Sequence, residues 1–436
     1  MTMFKLFPEK DEVKISPVEK IDGEISICGD KSITHRAIMF ASVARGISKI
    51  TNYLPADDCL HTIFCLRKLG VEIREEKENL IVYGKGKEGL IEAKEILDAG
   101  NSGTTVRLLA GILAGQPFTS EISGDDSLRK RPMRRIIEPL RTMGAEIYGL
   151  NDEYLPLKIK GRYPLRAITY PLPIPSAQVK SAILLAGLFA QGETTVIEPL
   201  SSRDHTERML KFFDVPLKKI NGHISLIGQL DLKSHDIHIV GDFSAASFFL
   251  ILALLLPNSK IKIKNVGINP TRTGFLQVLR NMGANISAVN QREVCAEPVA
   301  DVLAYTSKLQ GTSLSREIIP AMIDEIPLFT LLATQAEGES VISGAEELRY
   351  KESDRIATIS TQLNLLGAKI KTKPDGMVIE GPTKLKGCQV QSFADHRIAL
   401  TLVIAGLIAQ GETTIQGIDC IKISFPNFWE TLSQLK

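Results

Sequence analysis

Six stretches of the chain are apolar on nearly every side of a helical wheel: SITHRAIMFASVA from Ser32, SGTTVRLLAGILA from Ser102, SAQVKSAILLAGLFA from Ser176, FSAASFFLILALLL from Phe243, DEIPLFTLLATQA from Asp324 and DHRIALTLVIAGLIA from Asp395. A helix without a polar face has to be buried on all sides, so these six are predicted as core helices. Their starts lie roughly 65 to 80 residues apart, a period long enough to hold several elements each. After each run comes a turn and a β-like stretch: RGISKITNY, GQPFTSEISG, QGETTVIEPL, PNSKIKIKNV, EGESVISGA and QGETTIQGI. Gly, Pro, Asn and Ser stop the helix there, and Val, Ile and Thr start a strand. A second, amphipathic helix follows in most copies and ends in RKLGVEI, RTMGAEI, RNMGANI or NLLGAKI, with Gly where a helix C-terminus turns into a strand. The third copy, KFFDVPL, lacks that Gly.

Each unit therefore reads strand, apolar helix, strand, amphipathic helix, strand, which is an α/β pattern. At 436 residues the chain exceeds one ordinary core. Six units divide into two similar domains of three, with the boundary near Ser234 to Val240, before the fourth apolar run. The predicted domains are 22–238 for the first and 1–21 with 239–436 for the second. The strand up to about Ile21 fits either half and is assigned to the second.

Composition narrows the function classes. Hydrophobic residues at 44% and charged residues at 23% describe a globular protein. Lys and Arg number 52 against 50 Asp and Glu, aromatics are 6%, and no basic run interleaves with aromatics, so nucleic acid is not an expected partner. The cysteines Cys28, Cys59, Cys65, Cys295, Cys388 and Cys420 form no CxxC pair and read as reduced thiols of a cytoplasmic protein. The opening MTMFKLFPEKDEVKI is charged throughout, unlike a signal peptide. The run Phe243 to Leu256 is broken by Ser244 and Ser247 and is too short to span a bilayer. The expectation is a monomer in the cytoplasm that acts on small molecules, with no membrane partner.

Polar residues collect at the N-terminal ends of the apolar runs: Gly29-Asp30-Lys31-Ser32, Asn101-Ser102-Gly103-Thr104, Ser176-Ala177-Gln178, Asp324 and Asp395-His396-Arg397. Helix N-termini offer free N–H groups and partial positive charge, so several together would hold anions; the same residues also serve as ordinary N-caps. Lys31, Arg36, Arg107, Arg131, Arg203, Lys351, Arg355 and Arg397 accompany them, and Arg bonds two oxygens of a phosphate or carboxylate at once. Lys130 and Arg134 read as a solvated face. The string Lys351-Glu352-Ser353-Asp354-Arg355 can equally be a helix start with an internal i,i+3 ion pair. Gly29-Asp30-Lys31-Ser32 lacks the Gly directly before Lys that a nucleotide P-loop has, no dinucleotide site is indicated, and neither GxSxG nor paired metal-ligand spacing occurs. No cofactor and no metal are expected; what remains is anion chemistry run by Lys, Arg, Asp and Glu.

The strings GDKSITHRA, DAGNSGTTVRLLAG, RKRPMRR, SAQVKSA, SSRDHTE, DEIPLF, YKESDR and ADHRIA, in this order, resemble the 5-enolpyruvylshikimate-3-phosphate synthase family from about Ile15 to Leu435. The resemblance implies two inverse α/β barrel domains and the reaction of phosphoenolpyruvate with shikimate 3-phosphate to give an enolpyruvyl ether and phosphate. It also implies phosphoenolpyruvate contacts from Lys31, Gly103, Arg131, Gln178, Arg355 and Arg397. For shikimate 3-phosphate it implies Lys31, Ser32, Arg36, Ser176, Ala177, Gln178, Ser202, Arg203, Asp324 and Lys351. Asp324 would accept the hydroxyl proton and Glu352 would protonate the methylene carbon. Cations around a carboxyl favour its charged form, so Lys31 stands as an alternative proton donor.

Departures from the family pattern fall at Glu347, where some members place Asn, and at Ile423, where some place Lys; Lys422 is adjacent. The related UDP-N-acetylglucosamine enolpyruvyl transferases are expected to carry a reactive cysteine on a loop of the first domain, and Ser123 to Arg135 contains none. RPMRR, SAQVK and NPTR resemble the subgroup that tolerates glyphosate, while Gly103 stands where tolerant members often carry Ala; tolerance is the expectation.

Overall fold

The structure, a computed structural model, describes residues 11–435; residues 1–10, which hold most of the charged opening and the start of the second predicted domain, lie outside the described residues. All six apolar runs are helices, at Lys31–Val43, Gly103–Ala114, Ala177–Gly187, Phe243–Leu255, Ile326–Ala333 and His396–Ile408. Their all-round apolarity corresponds to all-round burial: in the fourth, every residue from Phe243 to Leu254 is buried.

The repeat unit is seen most clearly in the third copy. Thr169–Pro171 runs parallel to Glu193–Ile197 across the buried helix, and Glu193–Ile197 pairs antiparallel with His223–Ile227, whose hairpin partner is Leu217–Ile220. The other repeats build sheets of the same order, the sixth with three strands. The unit thus has one strand more than the sequence reading gave it. The signal for the added hairpin is Asn221-Gly222, both at positive φ, the pairing that two-residue hairpin turns favour.

Two compact units result. The N-terminal unit comprises Gly29–Ile239 with Glu293–Glu297; the C-terminal unit comprises the residues up to Cys28, Val240–Arg292 and those from Pro298 onward. The first domain therefore begins at Gly29 and not at 22, because Asp22–Ser26 pairs in parallel with Lys260–Gly267 of the other unit. Ile237–His238 closes the N-terminal unit by pairing with Ile50 and Thr51, and Glu12–Ile15 completes the sixth sheet against Thr413–Gln416. Glu293–Glu297, the tip of the hairpin Asn285–Val294 and Glu297–Tyr305, was expected in the second domain. It groups with the N-terminal unit, where Arg208 donates to Ala296 O.

The amphipathic helices share one ending. Gly70, Gly144, Gly283 and Gly367 all take positive φ, and the residue after each donates back to the last helical turn, as in Ala145 N to Leu140 O at 3.2 Å. In the third copy Asp214 takes this place at φ 59°, with Val215 N donating to Leu210 O at 2.9 Å. Asp tolerates left-handed backbone better than most residues with a Cβ, so the copy without Gly folds like the rest. No helix among the described residues is long and apolar enough to cross a membrane, and Cys65, Cys295, Cys388 and Cys420 form no disulfide.

Candidate active site

In the N-terminal unit, Asp30, Ser102 and Ser176 cap the first three buried helices, accepting from the backbone N–H of Ile33, Thr105 and Val179. The N-cap reading of these residues therefore holds, and it leaves the neighbouring side chains to do other work. Lys31, the first residue of its helix, donates to Asp58 at 2.8 Å. Behind it His35 is wholly buried and joined through Thr62 and Thr105 to Ser102, with steps of 2.7, 2.7 and 2.8 Å. Burial, together with the charges of Lys31 and Arg36, pushes His35 well below the usual histidine range, so the ring is neutral.

The second and third buried helices bring Gly103, Arg107, Arg131 and Gln178 together. Arg107 Nη1 donates to Gln178 Oε1 at 2.5 Å, and Gln178 Nε2 donates to Thr104 at 3.2 Å. Arg131 Nη2 donates to Asn101 at 2.7 Å. A Cβ on Gly103 would lie 2.8 Å from Arg107 Nη1 and 3.7 Å from Arg131 Nη1. The two helices can approach because Gly111 has no side chain: a Cβ there would sit 2.3 Å from Ala182 O. Lys130 and Arg134 are exposed.

Arg36 is buried, and its bonds go to neutral groups: Nε to Thr206 Oγ1 at 2.7 Å, Nη1 to Ser32 O at 2.9 Å and Nη2 to Ser181 Oγ at 2.8 Å. Burial lowers its pKa to about 10, Glu207, Asp30 and Glu297 oppose the shift, and the nearby charge of Arg203 adds to it. Ser202 is buried while Arg203 keeps partial exposure. Ala177, the first residue of the third buried helix, and Ser176 before it are both half-buried.

In the C-terminal unit, Arg355 gathers three carboxylates. Its Nε donates to Asp395 at 2.8 Å and Nη2 to Glu352 at 2.6 Å, while Nη1 reaches Asp324 at 3.4 Å. The surrounding carboxylates outweigh burial and raise the arginine above its ordinary value. Asp395 also caps the sixth buried helix through Arg397 N, and Arg397 Nε is buried without a hydrogen-bond partner. The Glu352–Arg355 contact is the i,i+3 pair that the string itself suggested. Lys351 keeps partial exposure, yet burial lowers its pKa; Asp324, Glu352 and Glu347 pull it up and Arg355 pushes it down. Glu347, one of the departures, is thus a neighbour of Lys351. Lys422 is turned to Asp419 at 3.0 Å beside half-buried Ile423.

Asp324 does not open the fifth buried helix. It lies in a 3-10 turn, Ile323–Glu325, and the helix behind it has no side-chain cap. Pro327 removes one N–H that needs a cap, and Glu325 is committed to Arg272 at 2.6 and 2.7 Å. Sequence reasoning missed this pair and three others. Lys180 contacts Glu198 at 3.0 Å and Glu207 at 2.6 Å, and His205 contacts Glu297 at 2.8 Å, all nearly closed to solvent. One signal was readable: Lys180 interrupts a run that is otherwise apolar all round, so it had to be buried and therefore paired.

Cys65 is buried and pushed up to about 12, so it is not poised as a reactive thiolate; Cys59 is buried as well.

The fold is that of the enolpyruvyl transferases. The enolpyruvyl transferase NikO from Streptomyces tendae is similar in fold with a TM-score of 0.79 at 16% identity, covering 96% of each chain. EPSP synthase from Acinetobacter baumannii superposes with a TM-score of 0.87 at 41% identity over 97% of this chain and 98% of that one. The family described as EPSP synthase (3-phosphoshikimate 1-carboxyvinyltransferase) matches residues 15–432. Relatives bearing the name 3-phosphoshikimate 1-carboxyvinyltransferase include that of Bacillus cytotoxicus, 51% identical over 95% of this chain and 98% of its own. That of Endomicrobium trichonymphae is 50% identical over 97% of this chain and 99% of its own. This chain belongs to the EPSP synthase family.

Proposed function

We propose that the chain transfers the enolpyruvyl group of phosphoenolpyruvate to the 5-hydroxyl of shikimate 3-phosphate, in the cytoplasm and as a monomer, and that the residues described above carry the reaction. The observation that carries the reading, beyond family membership, is the meeting of Asp324 and Glu352 at the one guanidinium of Arg355. A proton added to the methylene carbon of phosphoenolpyruvate makes the neighbouring carbon electrophilic. The shikimate oxygen bonds to that carbon and gives its proton to a base. Loss of a methyl proton and cleavage of the carbon–oxygen bond to phosphate then restore the enol ether.

Asp324 is assigned as the base, and Glu352 as the acid at the methylene carbon, with Lys31 as the alternative donor. Lys31, Gly103, Arg131, Gln178, Arg355 and Arg397 are assigned to phosphoenolpyruvate. The buried, unpartnered Nε of Arg397 supports this, since an anion would give it an acceptor. Lys31, Ser32, Arg36, Ser176, Ala177, Gln178, Ser202, Arg203, Asp324 and Lys351 are assigned to shikimate 3-phosphate. Arg36 supports that reading because its hydrogen bonds leave its charge without a paired carboxylate. Preorganised cations of this kind stabilise phosphate charge without rearranging during the reaction.

Phosphate release from phosphoenolpyruvate, measured with shikimate 3-phosphate and in parallel with UDP-N-acetylglucosamine, tests the reading. Turnover is expected with the first acceptor only; turnover with the second alone overturns it.

A further inference from the structure

Lys180 is the least expected residue of the N-terminal unit. Its side chain is 0% exposed, within a helix whose other residues, Gln178 apart, are apolar or small. Burying an ammonium with a carboxylate is costly, and an apolar pair of similar volume often gives equal or greater stability. Such a group is retained for what it positions, and the bonds show what that is. Lys180 Nζ donates to Ser202 O at 3.2 Å. Its partner Glu198 accepts from Ser202 N at 3.2 Å and from Ser202 Oγ, all on the one oxygen that faces Lys180 at 3.0 Å. The backbone N–H, the carbonyl and the hydroxyl of one residue are thus all held by one buried ion pair.

We infer that Lys180 and Glu198 are positioning residues that fix the turn of Ser202 and Arg203 for the anionic group of shikimate 3-phosphate. This rests on the functional reading above. Neither residue touches substrate in this account. Both act through Ser202, whose hydroxyl and N–H donate to Glu198, so the turn presents the guanidinium of Arg203 to the anion in a fixed orientation and leaves the Ser202 oxygen only to accept, from a substrate hydroxyl. Glu207, on the helix that follows, is a second carboxylate against Lys180 at 2.6 Å and adds to the hold on the ammonium. An ordered turn lowers the entropy lost when the substrate binds, which is where preorganisation contributes affinity.

The test uses the full chain with Lys180→Met and Glu198→Leu combined, which removes the ion pair whole; Glu207, which burial already pushes up, loses its cation and takes a proton instead. Binding of shikimate 3-phosphate is measured by calorimetry without phosphoenolpyruvate, and both KM values and kcat are measured alongside. The expected result is a folded protein with affinity and KM for shikimate 3-phosphate weakened at least about tenfold, and KM for phosphoenolpyruvate and kcat within about threefold of wild type. Glu198→Gln, whose amide oxygen still accepts from Ser202 N but which no longer pairs with the charge of Lys180, should show a smaller loss of about three- to fivefold for shikimate 3-phosphate alone. A folded double variant that binds shikimate 3-phosphate as wild type does, or that raises both KM values equally, overturns the inference. If the double variant does not fold, Glu198→Gln decides: a threefold or greater loss for shikimate 3-phosphate alone supports the inference, and unchanged affinity overturns it. Wild-type protein that fails to bind shikimate 3-phosphate overturns the functional reading instead.

Discussion

Arg36 in the N-terminal unit and Arg355 in the C-terminal unit are both buried, yet they have opposite surroundings. Arg36 leans on two hydroxyls and a carbonyl, and burial lowers its pKa to about 10. Arg355 is ringed by Asp395, Glu352 and Asp324, which raise it. A guanidinium bonded to neutral groups keeps a charge that a ligand anion can satisfy; one bonded to carboxylates holds those carboxylates in place. The two units have the same repeat, so the division of labour comes from a few polar partners and not from the fold.

The largest effect should come from the carboxylates that Arg355 organises. Asp324→Asn and Glu352→Gln are expected to lower kcat by about 10²- to 10⁴-fold with phosphoenolpyruvate affinity little changed. Single-turnover kinetics beside equilibrium binding check this, and Asp324→Asn with activity within a few-fold of wild type would remove that residue from the chemistry. The arginines come next. Arg355→Met leaves three carboxylates without their cation and should destabilise the fold by about 3–5 kcal/mol. Arg36→Met strands only neutral groups and should cost about 1–2 kcal/mol, while weakening shikimate 3-phosphate about a hundredfold, as expected for lost charge-assisted bonds. Denaturant midpoints and calorimetry read both, and equal destabilisation by the two variants would erase the contrast.

Gly103→Ala sharpens the N-terminal half of the comparison. Its methyl meets Arg107, which Gln178 holds at 2.5 Å, so the added carbon acts on a cation cluster and not on empty space. KM for phosphoenolpyruvate and the inhibition constant for glyphosate should both rise, by roughly three- to tenfold, the scale of one displaced contact. Steady-state kinetics with and without the inhibitor separate the two constants. The smallest effect is on stability against pH. His35 is neutral in the fold, whereas the unfolded chain takes up a proton below about pH 6.5. Its contribution is therefore complete above that pH and falls as the pH drops, by up to about 1.4 kcal/mol per pH unit, until the folded ring also protonates. His35→Gln should flatten that part of the profile in urea titrations between pH 7.5 and 5.5.

Much of this architecture was legible in the sequence because it repeats. Helices without a polar face announced burial, and Gly before a β-branched or small residue announced helix ends. The turn at Asn221-Gly222 is equally readable, and the hairpin it closes supplies the strand that the helix periodicity does not show. The ion pairs were not legible in detail. Arg272 and Glu325 are 53 residues apart and His205 and Glu297 are 92 apart, so no periodicity links them. The domain boundary at Gly29 was missed for the same reason: the partner of Asp22–Ser26 lies beyond the whole N-terminal unit. Local pattern records what one helix or turn needs, and long-range pairing is settled only when the sheets assemble.

The way the chain enters and leaves the N-terminal unit has a practical meaning. A Cβ on Gly29 would stand 2.9 Å from Ile239 Cγ2, so the unit's two ends are neighbours, and Cys28 O accepts from Asp242 N at 2.9 Å, so the flanking ends in the other unit are neighbours too. The long segment is therefore a cassette whose two ends meet, with the hairpin tip Glu293–Glu297 as a second, short piece of the same unit. A fragment running from Gly29 to Ile239 should fold by itself, and the remainder should close with a short joint between Cys28 and Asp242. The excised cassette would lack one borrowed piece, Glu297, and His205 would then face solvent without its carboxylate.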